Sequence, residues 1–226
     1  MHTLKLASAL AAGLLSMASA SAATVNLDFS GTGQLAPIGN YYIGGTDGAG
    51  NVGVDHNTVF TQSVLALTNG DGLGSGTGGT YFTGAPTTNV AFVNAYDPEL
   101  VANGGTGSFM NVSNGFDTSL TLTYSSISAP TVLNIFSGLN GTGTLLATLN
   151  LANNSDGCDT GSPFCVWTTA TQSFSGIAES VQLDSNAGNF AFTNVQFNAV
   201  PLPASGLLMA FAVAGLSLVG VRRRAA

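Results

Sequence analysis

The chain has 226 residues, a formal net charge of −7 and only 7% charged residues. Its four Lys and Arg residues all lie near the ends, as Lys5, Arg222, Arg223 and Arg224, so residues 24–200 hold all eleven acids and no Lys or Arg. Nucleic-acid binding is disfavoured, because phosphate contacts need Lys and Arg. An anionic lipid surface would repel this acidic central part of the chain.

The first 23 residues have the three-part pattern of a secretory signal peptide. Lys5 supplies a positive charge, residues 6–15 are apolar, and the small residues of "SMASASAA" follow. This order is typical of a segment that directs export and is then removed. We therefore expect a signal helix over residues 1–23, export through the Sec machinery, and cleavage after Ala20, Ala22 or Ala23.

Residues 24–199 consist of short runs in which apolar and polar residues alternate. Val25, Leu27 and Phe29 form one such run. Further examples are Leu120, Leu122 and Tyr124, then Phe190 and Phe192, then Val195 and Phe197. Alternation bounded by Gly, Asn and Ser indicates half-buried strands. Many such strands predict an all-β ectodomain, an antiparallel β-sandwich or jelly roll.

A β-hairpin is predicted over residues 131–151. Asn140-Gly141 is a favoured turn pair, and it stands between two apolar runs. Leu133 and Ile135 share one face of the first strand, and Leu145, Ala147, Leu149 and Leu151 share one face of the second.

The two cysteines, Cys158 and Cys165, have six residues between them. In an exported protein this arrangement favours a local disulfide. So small a loop would contribute about 2.5 kcal/mol at most in the chain-entropy model. A metal site is the weaker alternative, because short-spaced partner ligands are missing.

Residues 39–84 are rich in glycine and are expected to form long loops that frame one strand-like run, "TVFTQSVLALT". Asp47, Asp55 and Asp71 lie in these loops and are weak candidates for Ca²⁺ ligands, since Ca²⁺ takes carboxylate and carbonyl oxygens. The EF-hand spacing is absent. We expect no other cofactor or metal.

Catalytic signatures are weak. His56 is the only histidine of the central part, and we interpret it as a loop residue rather than a catalytic base. Asp97 with Glu99, and Asp156 with Asp159, are carboxylate pairs of the type that a glycosidase needs. We favour structural roles, in which Asp97 opens a turn at Pro98 and Asp159 caps a loop. The protein is not expected to be an enzyme.

Aromatic residues near the glycine-rich loops suggest a sugar-binding face as one alternative. Tyr41, Tyr42, Tyr81 and Phe82 lie in or beside those loops, and the tyrosines are the better candidates. Trp167 follows the second cysteine and is expected to pack at the edge of the core, because aromatic rings bury a large area.

The C-terminal segment, residues 200–226, has the features of a membrane span. Eighteen uncharged residues run from Ala204 to Val221. As a helix they would be about 27 Å long, against a hydrocarbon core of roughly 30 Å. Pro201 and Pro203 would keep the preceding chain extended. The three arginines that follow predict a cytoplasmic flank.

This segment resembles the VPLPA variant of the PEP-CTERM sorting signal. The resemblance rests on three parts that occur together: the motif, the apolar span and the terminal arginines. The motif residues are Val200, Pro201, Leu202, Pro203 and Ala204. The resemblance implies sorting by exosortase, a membrane processing enzyme, with removal of the tail on the outer side. It also implies a membrane-anchored precursor and a mature form at the cell surface or in an exopolysaccharide matrix.

Three functional hypotheses follow. The first is an exported, non-catalytic surface or matrix β-sandwich that exosortase sorts. The second is a carbohydrate-binding module. The third, and weakest, is a secreted glycan hydrolase that uses a carboxylate pair.

Overall fold

A computed structural model describes residues 22–68, 81–159 and 161–201 of the chain. These residues belong to one compact unit, Ala22–Pro201. Residues 1–21 of the predicted signal helix, and the predicted transmembrane helix, lie outside the described ranges. Within those ranges no helix combines the length and the apolar character that a membrane crossing requires.

The regular secondary structure of the described residues is almost entirely β-strand, which confirms the all-β prediction. One short helix, α1, spans Pro98–Ala102, and a tight turn spans Leu139–Gly141. The ten strands are β1 Ala23–Leu27, β2 Thr58–Phe60, β3 Val64–Thr68, β4 Asn89–Val93, β5 Phe109–Ser126, β6 Thr131–Phe136, β7 Leu145–Leu151, β8 Thr168–Ser173, β9 Ala178–Gln182 and β10 Phe190–Ala199. All pairings between these strands are antiparallel.

Strand β5 belongs to both layers of a β-sandwich. Its first residues, 109–112, pair with β2 and β9, and β9 continues to β6 and β7. Its last residues, 119–126, pair with β8 and β10. Strand β10 in turn pairs with β4 and β1, and β4 pairs with β3. The first layer is the start of β5 with β2, β9, β6 and β7. The second layer is the end of β5 with β8, β10, β1, β4 and β3.

The main core lies between the layers and is centred on Phe29. The Phe29 ring makes edge contacts with Phe60 of the first layer and Phe192 of the second, at centroid distances of 5.8 and 5.6 Å. Tyr42 approaches the same ring at 5.9 Å. Aromatic rings in edge geometry add attraction to the area they bury. One cluster therefore joins the two layers.

The predicted hairpin is confirmed, and its turn has the expected geometry. Strands β6 and β7 pair with each other, and the amide of Thr142 donates to the carbonyl of Leu139. Asn140 and Gly141 both have positive φ, of 54° and 71°. Two positive φ values at the centre of a four-residue turn define the type I′ turn that Asn-Gly favours.

The predicted face of the second hairpin strand is correct only in part. Leu149 and Leu151 are buried, but Leu145 is 50% exposed. The pairing shifts between Ile135 and Phe136, and Leu146 packs against the core instead. An irregularity of this kind reverses the faces of the residues beyond it.

The segment "TVFTQSVLALT", which the sequence presents as one strand-like run, forms two strands in different layers. A turn separates them, in which the amide of Val64 donates to the carbonyl of Thr61. Ser63 and Ser108 share a hydrogen bond of 2.7 Å in the buried interior beside this turn. The turn lets the chain cross from the first layer, at β2, to the second, at β3.

A second, smaller core lies on the outer side of the second layer. Leu67, Val90 and Ala191 point outward from β3, β4 and β10, and Phe82 and Phe164 cover them. The predicted disulfide joins Cys158 to Cys165, with a Cα–Cα distance of 5.7 Å. It closes the loop that ends beside Phe164. The disulfide therefore holds the cover of this second core.

Trp167 packs at the edge of that cover, in agreement with its predicted position. Its ring meets Phe82 in an edge contact at 6.0 Å, and its indole Nε1 donates to the carbonyl of Thr83 at 2.9 Å. The side chain remains half-buried.

Candidate functional site

Beyond the second core, none of the described residues covers the outer side of the second layer. Inward residues such as Val25, Leu122 and Phe197 belong to the main core, so their strand neighbours point outward. These outward residues are all uncharged and polar. We call them the polar strip: Thr24, Asn26, Ser119, Thr121, Thr123, Thr169, Thr171, Ser173, Gln196 and Asn198. Thr123 is buried, and the other nine are exposed or half-buried.

One row of the polar strip runs straight across four strands. Asn26 pairs with Gln196, Gln196 with Thr121, and Thr121 with Thr171. Neighbouring strands lie about 4.8 Å apart, so this row is about 14 Å long. Four polar side chains therefore stand in line across β1, β10, β5 and β8.

Hydroxyl pairs organise the strip. Thr121 and Thr171 share a hydrogen bond of 2.8 Å between their hydroxyls, and Thr123 and Thr169 share one of 3.0 Å. Thr24 Oγ1 donates to Asn198 Oδ1 at 3.0 Å. Each hydroxyl pair uses one proton and keeps a second O–H for another acceptor.

Gln196, like Asn26, is a strip residue with an available side-chain amide. It is exposed, and its side chain forms no hydrogen bond with any part of the chain that the structure describes. An amide offers two donor hydrogens and an acceptor oxygen. Gln196 therefore adds both kinds of group at the centre of the row.

A shallow depression of about 140 Å³ lies within the strip. Its polar lining is Thr24, Ser119, Thr121, Gln196 and Asn198. The pairing of β5 with β10 shifts twice here, between Thr193 and Gln196 and between Phe197 and Asn198. Such irregularities bend a strand and redirect its side chains. These two irregularities account for the depression in an otherwise flat sheet face.

Charge is scarce around the strip. Asp117 pairs with Asn198 through the backbone, and its carboxylate accepts a hydrogen bond from the hydroxyl of Thr118 at 2.9 Å. Because residues 24–200 hold no Lys or Arg, no cation of those types balances it within the unit. The surface is thus neutral with an acidic margin.

Asp47, the first calcium candidate, has a structural role in its loop. Its two carboxylate oxygens accept hydrogen bonds from the amides of Gly33, Ala49 and Asn51 and from the Asn51 side chain, at 2.6–2.9 Å. Burial by itself raises the pKa of Asp47, but these four donors outweigh it and lower the pKa. The oxygens are therefore already occupied.

The other calcium candidates are exposed or lie outside the described ranges. Asp55 is exposed and accepts one hydrogen bond from the amide of Asn57, and Asp71 is not described. Among the described residues no three His, Cys, Asp or Glu side chains form a group that could hold a metal ion. Calcium binding stays a prediction.

The tyrosines expected on a sugar-binding face are part of the core. Tyr41 and Tyr42 are only 8% and 4% exposed. The Tyr41 hydroxyl donates to the carbonyl of Ser30, and the Tyr42 hydroxyl accepts from the amide of Phe29. Phe82 is also buried, and only Tyr81 is partly exposed. The prediction for Tyr41 and Tyr42 is therefore wrong, because their loop folds back over the core.

Asp97 and Glu99 belong to the start of a helix. Asp97 Oδ1 accepts hydrogen bonds from the amides of Glu99 and Leu100, at 2.9 and 3.2 Å, and so caps α1. Pro98 occupies the first turn, where its missing N–H has no cost. The prediction that Asp97 opens a turn at Pro98 is confirmed. The Asp-Pro pair was the sequence signal for the helix that follows.

Asp156 and Asp159 lie beside the disulfide. A depression of about 170 Å³ there is lined by Ile127, Ser128, Ser155, Asp156, Cys158, Asp159 and Pro163. Hydrogen bonds from the Asn153 side chain and the Ser128 amide lower the pKa of Asp156. The carbonyl of Asp159 accepts from the amide of Ser162 in the expected loop.

His56 lies in a loop, as expected. Its backbone amide donates to the carbonyl of Tyr42 at 2.8 Å, and its ring lies 5.9 Å from that of Tyr42. Both contacts fix the loop 39–57 to the core.

The predicted sorting motif begins directly after the last strand. The amide of Val200 donates to the carbonyl of Gly115 at 3.0 Å, and Pro201 is the last described residue. Leu202, Pro203 and Ala204 lie outside the described residues, as do Arg222, Arg223 and Arg224.

Sequence reasoning missed the polar strip, although its signal was present. In "TSLTLTYSS" the apolar residues indicated the core face, and Ser119, Thr121 and Thr123 were its polar complement. Strands β1, β8 and β10 contain similar polar residues. They could be recognised as parts of one surface only if the strand order were known. That order depends on pairings between distant residues.

Comparison with known proteins gives weak structural similarities alone. No protein-family profile matches the chain, and no curated protein matches it. A family 6 carbohydrate-binding module has 17% identity and a TM-score of 0.35, over 62% of this chain and 85% of its own. A family 35 module from Paenibacillus barcinonensis has 18% identity and a TM-score of 0.38, over 64% and 94%.

A catalytic domain also appears among these similarities. The catalytic domain of a GH87 alpha-1,3-glucanase has 10% identity and a TM-score of 0.38, over 81% of this chain and 29% of its own. Neither the ligand nor the activity of any of these proteins passes to this chain at such identities and scores.

Proposed function

We propose that this protein is an exported, non-catalytic β-sandwich that a C-terminal signal delivers to the cell surface or extracellular matrix. The observation that carries the proposal is the position of the motif. Strand β10 ends at Ala199, and the motif starts at the next residue, Val200. The folded unit and the predicted sorting segment therefore follow each other without a linker.

The described residues form a continuous core. Every described strand and both core clusters of described residues lie between Ala23 and Ala199. Loss of residues 202–226 would leave all these described residues in the chain. A processing enzyme such as exosortase could thus release the sandwich in its folded state, consistent with the resemblance of residues 200–226 to a PEP-CTERM signal.

Intact mass combined with cell fractionation tests this proposal. In cells that contain an exosortase, we expect the mature chain to lack its signal peptide and its apolar tail, and to leave the inner membrane. A Pro201→Ala, Pro203→Ala variant should retain the tail mass and stay in the membrane. Pro130→Ala, outside the motif, serves as the matched control. A wild-type chain that keeps its full tail in the inner membrane would show that the tail is only an anchor.

A second candidate function, carbohydrate binding, is favoured by the polar strip. Nine exposed or half-buried, uncharged polar side chains on a sheet face that no described residue covers are suited to hydrogen bonding with sugar hydroxyls. This function is compatible with delivery to an exopolysaccharide matrix.

A further inference from the structure

We infer that the polar strip binds an uncharged polysaccharide chain that lies across strands β1, β10, β5 and β8. This inference rests on the second candidate function, carbohydrate binding, and it names the surface and the chemical class of the polymer. Three observations carry it.

The first observation is that the described residues cover only part of this sheet face. The apolar part, at Leu67, Val90 and Ala191, lies under Phe82 and Phe164, and the disulfide holds that cover in place. The neighbouring polar part has no such cover from the described residues. The open part is therefore the part able to hydrogen-bond with a hydroxyl-rich partner.

The second observation is the chemistry of the strip. The Thr121–Thr171 pair keeps a free O–H donor, and Gln196 offers an unpaired amide with both donor and acceptor groups. Sugar hydroxyls likewise donate and accept. A polymer of repeating hydroxyl groups can match several strip residues at once, and linked weak contacts raise the total affinity.

The third observation is charge. Residues 24–200 have eleven acids and no Lys or Arg, so a polyanion would meet repulsion and no counter-charge. The strip itself carries no charge, and Asp117 at its margin can accept hydrogen bonds from hydroxyls. This charge pattern selects a neutral polymer over an anionic one.

The shape of the strip surface indicates how the polymer would lie. The depression of about 140 Å³ is smaller than the roughly 300–1,000 Å³ of pockets that enclose a small ligand. A shallow surface suits a chain that runs across it, with one sugar in the depression and its neighbours on the row of Asn26, Gln196, Thr121 and Thr171.

Native affinity electrophoresis of the full chain tests the inference. The chain is kept in a detergent without a sugar head group, and the gels contain hydroxyethylcellulose, mixed-linkage β-glucan, dextran or the polyanion alginate. Because any polymer also slows a protein by sieving, retardation is measured relative to a non-binding acidic reference protein on the same gel, and only the excess counts as binding. We expect retardation by at least one neutral polymer and none by alginate.

Two variants and one control locate the site. Gln196→Ala with Thr171→Val removes an amide and a hydroxyl but keeps a β-branched residue in β8, and it should weaken binding about tenfold. Thr121→Val with Thr171→Val removes one hydroxyl pair and should weaken binding severalfold. Asn150→Ala, an exposed strand residue of β7, should bind as the wild type does. The emission spectrum of Trp167, the only tryptophan, confirms that each variant is folded.

Each result has a definite meaning. If wild-type retardation survives unchanged in both strip variants, the strip is not the site, although carbohydrate binding stands. If no neutral polymer slows the wild type, both the strip inference and the carbohydrate-binding function are overturned. Retardation by alginate as strong as that by a neutral polymer overturns the selection for uncharged chains. None of these results alters the mass test of the sorting proposal.

Discussion

Ala23 and Ala199 are direct partners across the antiparallel pair of β1 and β10. The first residue of the first strand therefore lies beside the last residue of the last strand. The chain enters and leaves the sandwich at the same end of one strand pair. The predicted signal peptide and the predicted sorting tail consequently attach at the same place on the folded unit.

The hydroxyl of Tyr42 is expected to support the core through the backbone of Phe29. It accepts a hydrogen bond from the Phe29 amide at 2.8 Å, and burial raises the pKa of Tyr42 so that the hydroxyl stays protonated. Tyr42→Phe leaves that buried N–H unpaired. We expect a loss of about 1–3 kcal/mol in the free energy of unfolding, measured by urea denaturation.

The matched control for that change is Tyr96→Phe. Tyr96 is 88% exposed, so its hydroxyl is solvated and the change should alter stability by less than about 0.5 kcal/mol. Equal denaturation midpoints for the Tyr42 and Tyr96 variants would contradict the role of the Phe29 contact.

Removal of the disulfide is expected to loosen the second core. Cys158→Ser with Cys165→Ser should lower the free energy of unfolding by about 2.5 kcal/mol at most, because the loop is short. Trp167 packs on Phe82 in that region, so its fluorescence should shift toward the solvent-exposed emission. A change in stability without any change in Trp167 emission would show that the disulfide does not hold this cover.

The Asp47 carboxylate is expected to stabilise its loop in a pH-dependent way. Asp47→Asn puts an NH₂ group among four N–H donors, and should cost about 2 kcal/mol at pH 7. The folded-state pKa is lowered from the ordinary value of 3.8. The carboxylate therefore stabilises the fold above pH 3.8, and this contribution is lost as the pH falls through the lowered pKa.

Urea denaturation of wild type and variant at a series of pH values checks this dependence. The difference between the two proteins should be largest near neutral pH and should shrink below pH 3.8. Asp55→Asn is the control, since the Asp55 carboxylate is exposed and accepts one hydrogen bond. A difference between wild type and Asp47→Asn that is constant down to pH 2 would argue against the charge as its source.

Gly53 is expected to tolerate no side chain. A Cβ at this position would lie 2.0 Å from the carbonyl oxygen of Tyr41 and 2.7 Å from the Tyr41 ring. Gly53→Ala must therefore push the 39–57 loop away from the core, and we expect a lower melting temperature. Gly157→Ala is the control, because a Cβ there meets no atom within 4 Å. Equal melting temperatures for the two variants would contradict the close packing of this loop.

The strand faces, the hairpin and the disulfide could be predicted because each depends on neighbouring residues. Alternation in β6 fixes the inward positions of Leu133 and Ile135, and Asn140-Gly141 fixes the turn. The two cysteines are separated by only seven positions, so their pairing needs little of the remaining fold.

Burial of Tyr41 and Tyr42 could not be predicted in the same way. A glycine-rich loop usually indicates solvent exposure, but here the small size of Gly53 lets the loop close over the core. The polar strip depends likewise on the order of β1, β10, β5 and β8. That order brings Asn26 and Gln196 together across 170 positions of sequence, and local patterns carry no information about it.

The central position of β10 also sets the order in which the chain can fold. Strand β10 is the last of the described strands to be made, yet β1, β4 and β5 all pair with it. Pairing between such distant segments is slow, because the intervening loops must close first. The pairs that β10 makes cannot form until residues 190–199 have been synthesised. A nascent chain of this protein therefore cannot complete its second layer until nearly all of residues 22–201 have been made.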